Sequence, residues 1–140
     1  MNVATECSVS HLLKRNFNTL SGGEQRRVHF ARTLLQIDHN YEAVGSRYMF
    51  LDEPTANLDL MFELKLIRLL KSKSKDGIGV LLIMHDLNLA SKFSDKIAIL
   101  NKGSLSAFGT PSEVFKCKML SKIFGLPLEV DPQTLKVSYY

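Results

Sequence analysis

Two short apolar runs that stop at ionisable residues restrict this chain more than anything else in it. Tyr48-Met49-Phe50-Leu51 ends at Asp52-Glu53-Pro54, and Val80 to Met84 ends at His85-Asp86. Neither run alternates apolar with polar residues, so each reads as a strand buried on both faces. Between them, roughly Leu60 to Lys73 carries Leu60, Leu64, Ile67 and Leu70 at helical spacing, and Gly77 to Gly79 breaks it. A further helical stretch opens at His85-Asp86 and ends near Phe93. Strand, helix, strand and helix in this order imply an α/β fold, with parallel strands covered by helices on both faces. Ligands of such sheets bind outside the carboxyl ends of the strands. Here those ends carry Asp52-Glu53 and His85, which points to one crevice.

The flanking segments extend this reading. Residues 3–15 (VATECSVSHLLKR) are expected to form a helix with Val3, Cys7, Leu12 and Leu13 inward. Leu20-Ser21-Gly22-Gly23 is a turn feeding a helix from Glu24 to Gln36, with Val28, Ala31, Leu34 and Leu35 at helical spacing. Residues 37–47 read as a polar loop. Towards the end, Ile97 to Leu100 and Ser104 to Phe108 flank Asn101-Lys102-Gly103, a hairpin signal that adds antiparallel edge strands. Thr110-Pro111-Ser112-Glu113 starts a helix with an N-cap, a proline at the first position and a capping box. That helix is expected to run to Phe124 and to end at Gly125. Short β-like pieces occupy 126–140, and no internal repeat occurs.

Composition narrows the class. At 140 residues the chain is one domain's worth, and 45% hydrophobic with 23% charged residues is ordinary for a globular protein. This excludes a disordered tail, a collagen-like repeat and a membrane-spanning subunit. The run from Val80 to Met84 is far shorter than the roughly 20 apolar residues a bilayer requires. The N-terminus lacks the pattern of a secretion signal. Cys7 and Cys117 have no paired spacing and fit free thiols in a reducing cytosol. The formal charge of +4 resides wholly in the second half, where ten Lys/Arg face six Asp/Glu. Lys71, Lys73 and Lys75 read as a solvated helix end, with a phosphate or an anionic membrane surface as the alternative partner.

Three places carry chemistry. Two carboxylates at a buried strand end, Asp52 and Glu53, are costly unless a cation or hydrogen bonds hold them. The alternative reading is a helix cap and its first-turn acid. Ser21-Gly22-Gly23 lets backbone approach an anion at a helix N-terminus, or simply caps that helix. His85 can donate or accept a hydrogen bond at the same crevice, or be structural. His11, His29 and His39 show no metal-ligand spacing and read as non-functional.

Considered together the three sites gain meaning, since Ser21 lies 31 positions before Asp52 and His85 lies 33 after it. LSGGEQRRVHFAR resembles the signature motif of ATP-binding cassette ATPases. YMFLDEP resembles their Walker B strand, TANLD their D-loop and LLIMHDL their switch histidine. The resemblance covers about Val3 to Gly125. It implies ATP and Mg²⁺ as cofactors, with Asp52 helping to hold Mg²⁺, Glu53 as general base for the attacking water and His85 contacting the γ-phosphate. Ser21, Gly22 and Gly23 would bind the γ-phosphate of ATP held by a second ATPase subunit in a head-to-tail dimer. Asn57 to Asp59 would link the two active sites. Glu24 and Gln25 match the motif without a separate catalytic role. On this reading 1–25 closes a helical subdomain and carries the signature, and 26–140 is the Walker B and switch-histidine half of the catalytic core.

The family's phosphate loop, G-x-x-x-x-G-K-S/T, is absent from the sequence, as are its adenine-stacking aromatic residue and glutamine loop. The resemblance is therefore to the C-terminal half of the domain, and the 140 residues alone are expected to be inactive. HDLNLA, SDKI and GSLSAFGTPSEVF are similar to importers of iron chelates, haem and cobalamin, and GEQRRVHFAR is most like haem (hemin) importers. The implied partners are membrane permease subunits and, indirectly, a periplasmic haem-binding protein, with no nucleic acid. The implied location is the cytoplasmic face of the bacterial inner membrane, peripherally. A DNA-repair ATPase of the same class and a non-functional remnant are the alternatives. The stretch Pro54-Thr55-Ala56-Asn57 and the lack of a long coiled coil speak against the former.

Overall fold

A computed structural model describes residues 2–38, 45–56 and 58–139. The chain forms two compact units, Met1–Met84 and His85–Tyr140. Among the described residues no helix is long and apolar enough to cross a membrane.

The first unit contains α1 (Val3–Glu6), two single 3₁₀ turns, α2 (Gly22–Asp38), β1 (Arg47–Asp52), α3 (Leu60–Lys75) and β2 (Ile78–Ile83). β1 and β2 pair in parallel, with Met49 opposite Val80 and Asp52 opposite Ile83. The crossover between them is α3, as the sequence pattern implies. One face of the pair is packed: Met49 and Ile78 are buried with Leu34 of α2 and Leu66 and Leu70 of α3, and Leu51, Val80 and Leu82 lie against this core. Among the described residues the other face is exposed. Tyr48, Phe50, Leu81 and Ile83 are 64%, 72%, 53% and 49% exposed. The expectation of two covered faces holds on one side only, because the helices of this unit bury their stripes against the same face.

Residues 3–15 do not form one helix. Val3 and Cys7 share a face, but Val9 lies about 240° from Val3 at roughly 100° per residue. Ser8, at φ +54°, redirects the chain so that Val9 and Leu12 also reach the core, while Leu13 is left exposed. α2 runs on through Ile37 and Asp38, which the sequence suggested were loop, and buries Phe30 beside Ala31 and Leu34 while Leu35 is exposed. In α3 the buried stripe is Phe62, Leu66, Ile67, Leu70 and Lys73. Leu60, expected inward, sits in the exposed first turn. Lys73 is the reverse: three residues after Leu70, it falls on the stripe and is 3% exposed, not part of a solvated patch.

The second unit contains α4 (Leu87–Phe93), β3 (Ile97–Asn101), β4 (Ser104–Gly109), α5 (Pro111–Val114), α6 (Cys117–Phe124), β5 (Leu128–Val130) and β6 (Val137–Tyr139). The antiparallel pair β3–β4 turns through Lys102 and Gly103, both at positive φ, as a tight hairpin requires. Among the described residues these strands pair only with each other. The expected helix over 111–124 is two helices. Val114, Phe115 and Leu120 all enter one core, yet on a straight helix they would point about 0°, 100° and 240° around the axis. The break at Lys116 lets all three turn inward. The Glu113 carboxylate accepts the Thr110 N–H at 2.6 Å, one arm of the expected capping box, and also the Thr110 hydroxyl at 2.8 Å. Gly125, at φ +71°, ends α6.

Candidate active site

Ser21 stands immediately before α2 and makes a reciprocal cap. Its hydroxyl accepts the Glu24 N–H at 3.3 Å, and its own N–H donates to Glu24 Oε2 at 2.8 Å. Hydrogen bonds from Ser21, aided by Arg15 at 3.7 Å, hold the Glu24 carboxyl below the ordinary carboxylate range. Gln25 donates from Nε2 to the Phe17 carbonyl at 3.2 Å and fixes the preceding turn. Glu24 and Gln25, expected to have no separate catalytic role, thus hold the turn and the helix start in place. Gly22 is exposed, and a Cβ placed on it would meet nothing within 4 Å. The N–H groups of Gly22 and Gly23 have no carbonyl four residues back within their helix. The helix start is therefore an open, positively poised end suited to an anion.

Asp52 ends β1 and is exposed, whereas Glu53 is half-buried. The Glu53 N–H donates to the Ile83 carbonyl at 3.2 Å, which carries the parallel pairing one residue past the strand. Glu53 then turns into the left-handed region at φ +43°, a conformation costing a non-glycine residue about 1–2 kcal/mol. Strain of this kind concentrates where a side chain must be aimed. The Ala56 N–H donates to the Glu53 carbonyl at 3.2 Å, closing the turn. Arg26, in the first turns of α2, donates to the Ala56 carbonyl. This bond, with the Arg27 guanidinium 5.1 Å over the Phe62 ring, ties the Ser21 helix to the segment following the two carboxylates. The Arg26 bond has no local sequence signal, since it joins residues 30 positions apart.

Asp59 caps α3, its Oδ1 accepting the Phe62 N–H at 2.9 Å. Asn57 and His39 lie outside the described residues. His85 is the exposed first residue of the second unit, two positions past the end of β2. Asp86 after it caps α4 by accepting the Leu89 N–H at 2.9 Å. The structure thus brings Ser21, Gly22 and Gly23 into one unit with Asp52, Glu53 and Asp59. Among the described residues no group of three or more His, Cys, Asp or Glu side chains could hold a metal by itself. Both cysteines are free thiols.

No protein-family model matches the sequence. The hemin import ATP-binding protein of Rhodopseudomonas palustris strain BisB5 is 44% identical over 116 residues, covering 83% of this chain and 44% of that protein. That of Photobacterium damsela subsp. piscicida is 41% identical over 122 residues, covering 87% and 45%. A solved structure described as an inward-facing conformation of a metal-chelate type ABC transporter superposes with a TM-score of 0.72 at 25% identity. That match covers 99% of this chain and 53% of the other. The chain spans about half the length of the curated relatives it matches. With the signature, Walker B, D-loop and switch-histidine motifs in order along it, the chain belongs with the ATP-binding cassette ATPases, corresponds to their C-terminal half, and is similar to the ATP-binding proteins of hemin and metal-chelate transporters.

Proposed function

We propose that this chain is the signature and general-base half of an ATPase that hydrolyses ATP to drive hemin or iron-chelate import. The observation that carries the proposal is the carboxylate pair at the end of a parallel strand, with Glu53 pinned to Ile83 and turned left-handed. Asp52 and Glu53 offer hard oxygen donors, and few protein ligands completed by phosphate oxygens is the Mg²⁺ pattern. The residues present therefore fit that ion, with Asp52 as its holder. When bound, Mg²⁺ neutralises charge on the transferred phosphate. Glu53 orients the attacking water and takes its proton. His85 contacts the γ-phosphate and that water. Gly22 and Gly23 present N–H groups, and Ser21 its hydroxyl, to the γ-phosphate of a nucleotide held by a second ATPase subunit. Asp59, beside the first turn of α3, links the two sites of the pair. Permease subunits receive the work, and the protein is peripheral on the cytoplasmic face of the inner membrane.

The binding energy of a triphosphate in this class comes mostly from a glycine-rich cradle and its lysine. The sequence holds no such motif, so hydrolysis requires the remaining half of the domain. The test joins that half, from the Rhodopseudomonas palustris relative, to this chain and follows phosphate release with the permease and a hemin-loaded binding protein present. Stimulation by hemin is the expected result. Stimulation by a cobalamin-loaded binding protein alone would reassign the cargo, and absence of Glu53-dependent hydrolysis would overturn the mechanism.

A further inference from the structure

Three consecutive residues of α2 reach away from the helix in different directions, as roughly 100° per residue requires. Gln25 turns back to the Phe17 carbonyl, and Arg27 lies over the Phe62 ring. Arg26, between them, donates from Nη1 to the Ala56 carbonyl. A guanidinium stays charged and presents several donors in a fixed plane, so this carbonyl has a strong and permanent partner. Ala56 in turn leads to Glu53. The Ala56 N–H donates to the Glu53 carbonyl at 3.2 Å, and the Glu53 N–H donates to the Ile83 carbonyl at 3.2 Å. Glu53 is thus held on its N-terminal side by the strand pairing, and on its C-terminal side by a turn that α2 anchors.

Between these two anchors Glu53 sits at φ +43°. A non-glycine residue keeps such a conformation only where its surroundings over-determine it. Within the turn itself the bonds are local: Ala56 to Glu53, and the Leu58 N–H to the Thr55 carbonyl at 3.1 Å. Both close over three residues in half-exposed backbone, where water competes for the same groups. The Arg26 bond fastens this turn to a separate element. We propose that Arg26 is a positioning residue: by holding the Ala56 carbonyl it fixes the turn that aims the Glu53 carboxylate. Ser21 and Arg26 stand about one and a half turns apart on one helix. A movement of the helix start against a phosphate therefore reaches the general base of the same chain through this bond. The proposal rests on the ATPase reading above and adds a side chain, away from the reacting groups, on which the rate of the chemical step depends.

The test places Arg26→Met and Arg26→Lys in the joined ATPase described above. Methionine keeps much of the stem and removes the donors, whereas lysine keeps the charge and an N–H group. Arg26→Met should lower kcat about tenfold to a hundredfold, the range for a misplaced catalytic group. KM for ATP should change less than about twofold, since the bond touches no nucleotide. Arg26→Lys should recover at least about a third of the wild-type kcat. Melting temperatures should agree within about 3 °C, because Arg26 is exposed. In the 140-residue chain itself, Arg26→Met should quicken amide exchange of Ala56 and Leu58 about fivefold or more, with that of Leu89, capped by Asp86, unchanged. Wild-type kcat in Arg26→Met, a rate that falls only in step with melting temperature, a lysine variant no faster than the methionine one, or unchanged exchange at Ala56 would each overturn the proposal. A joined protein without Glu53-dependent hydrolysis would overturn the ATPase reading instead, and the exchange rates would still decide whether Arg26 holds the turn.

Discussion

At the scale of single residues, Glu53 separates stability from chemistry. Its left-handed backbone costs about 1–2 kcal/mol, part of which glycine recovers against its greater unfolded freedom of about 0.4–1 kcal/mol. Glu53→Gly should therefore melt at the same temperature or slightly higher, and Glu53→Gln should be unchanged, as thermal unfolding will report. In an assembled ATPase both should lose about 10²–10⁴-fold in turnover, the usual contribution of a general base. Glu24 supplies a second case. Its carboxyl is held below the ordinary value of 4.5, chiefly by the Ser21 N–H. A depressed folded value means the cap stabilises the fold above the unfolded value and is lost as pH falls through the folded one. Acid unfolding of the wild type should steepen below about 4.5, and Glu24→Gln should flatten that part of the profile. Cys7 is a similarly local case: burial, reinforced by Glu6, pushes its thiol up to about 11. At mild alkaline pH a thiol reagent should modify the exposed Cys117 and reach Cys7 only on unfolding.

At the scale of elements, long-range polar contacts decide which segments act together. The Asn88 side chain on α4 donates to the Val137 carbonyl at 3.2 Å and accepts the Val137 N–H at 2.7 Å. One amide thus closes both backbone groups of a β6 residue and fastens the ribbon β5–β6 to the helix that follows His85. Asn88→Ala strands two partly buried groups and should cost about 1–2 kcal/mol. Hydrogen exchange should show β6 opening ahead of the rest of the second unit. The HDLNLA sequence pointed to iron-chelate importers, and this pairing gives its asparagine a physical task. Helix breaks belong to the same scale. Periodicity suggested one helix over 3–15 and another over 111–124, but Val9 and Phe115 can be buried only if each helix stops short of them.

At the scale of the whole molecule, the bare face of β1–β2 and the missing phosphate cradle govern behaviour. Isothermal titration of the chain with Mg-ATP should show no micromolar binding, because the residues present reach only the γ-phosphate end of a nucleotide. Glu53-dependent hydrolysis by the chain alone would contradict this. Exposed contiguous apolar surface favours association. Light scattering should therefore rise with concentration and fall in a Phe50→Lys, Leu81→Lys double variant.

The strands, the crossover helix and the motifs at the strand ends were legible in the sequence, because runs, spacing and capping signals are local and each carries its own physics. So were the hairpin at Lys102-Gly103 and the cap at Thr110, whose geometry depends on a few adjacent residues. Which side of a run is covered was not legible: Tyr48 and Phe50 are as apolar as Met49, and only the placement of α2 and α3 leaves them bare. The burial of Lys73, the Arg26 bond to Ala56 and the Asn88 pairing with Val137 were equally hidden. Each joins or orients residues through the packing of separate elements, and that information exists only once the chain has folded.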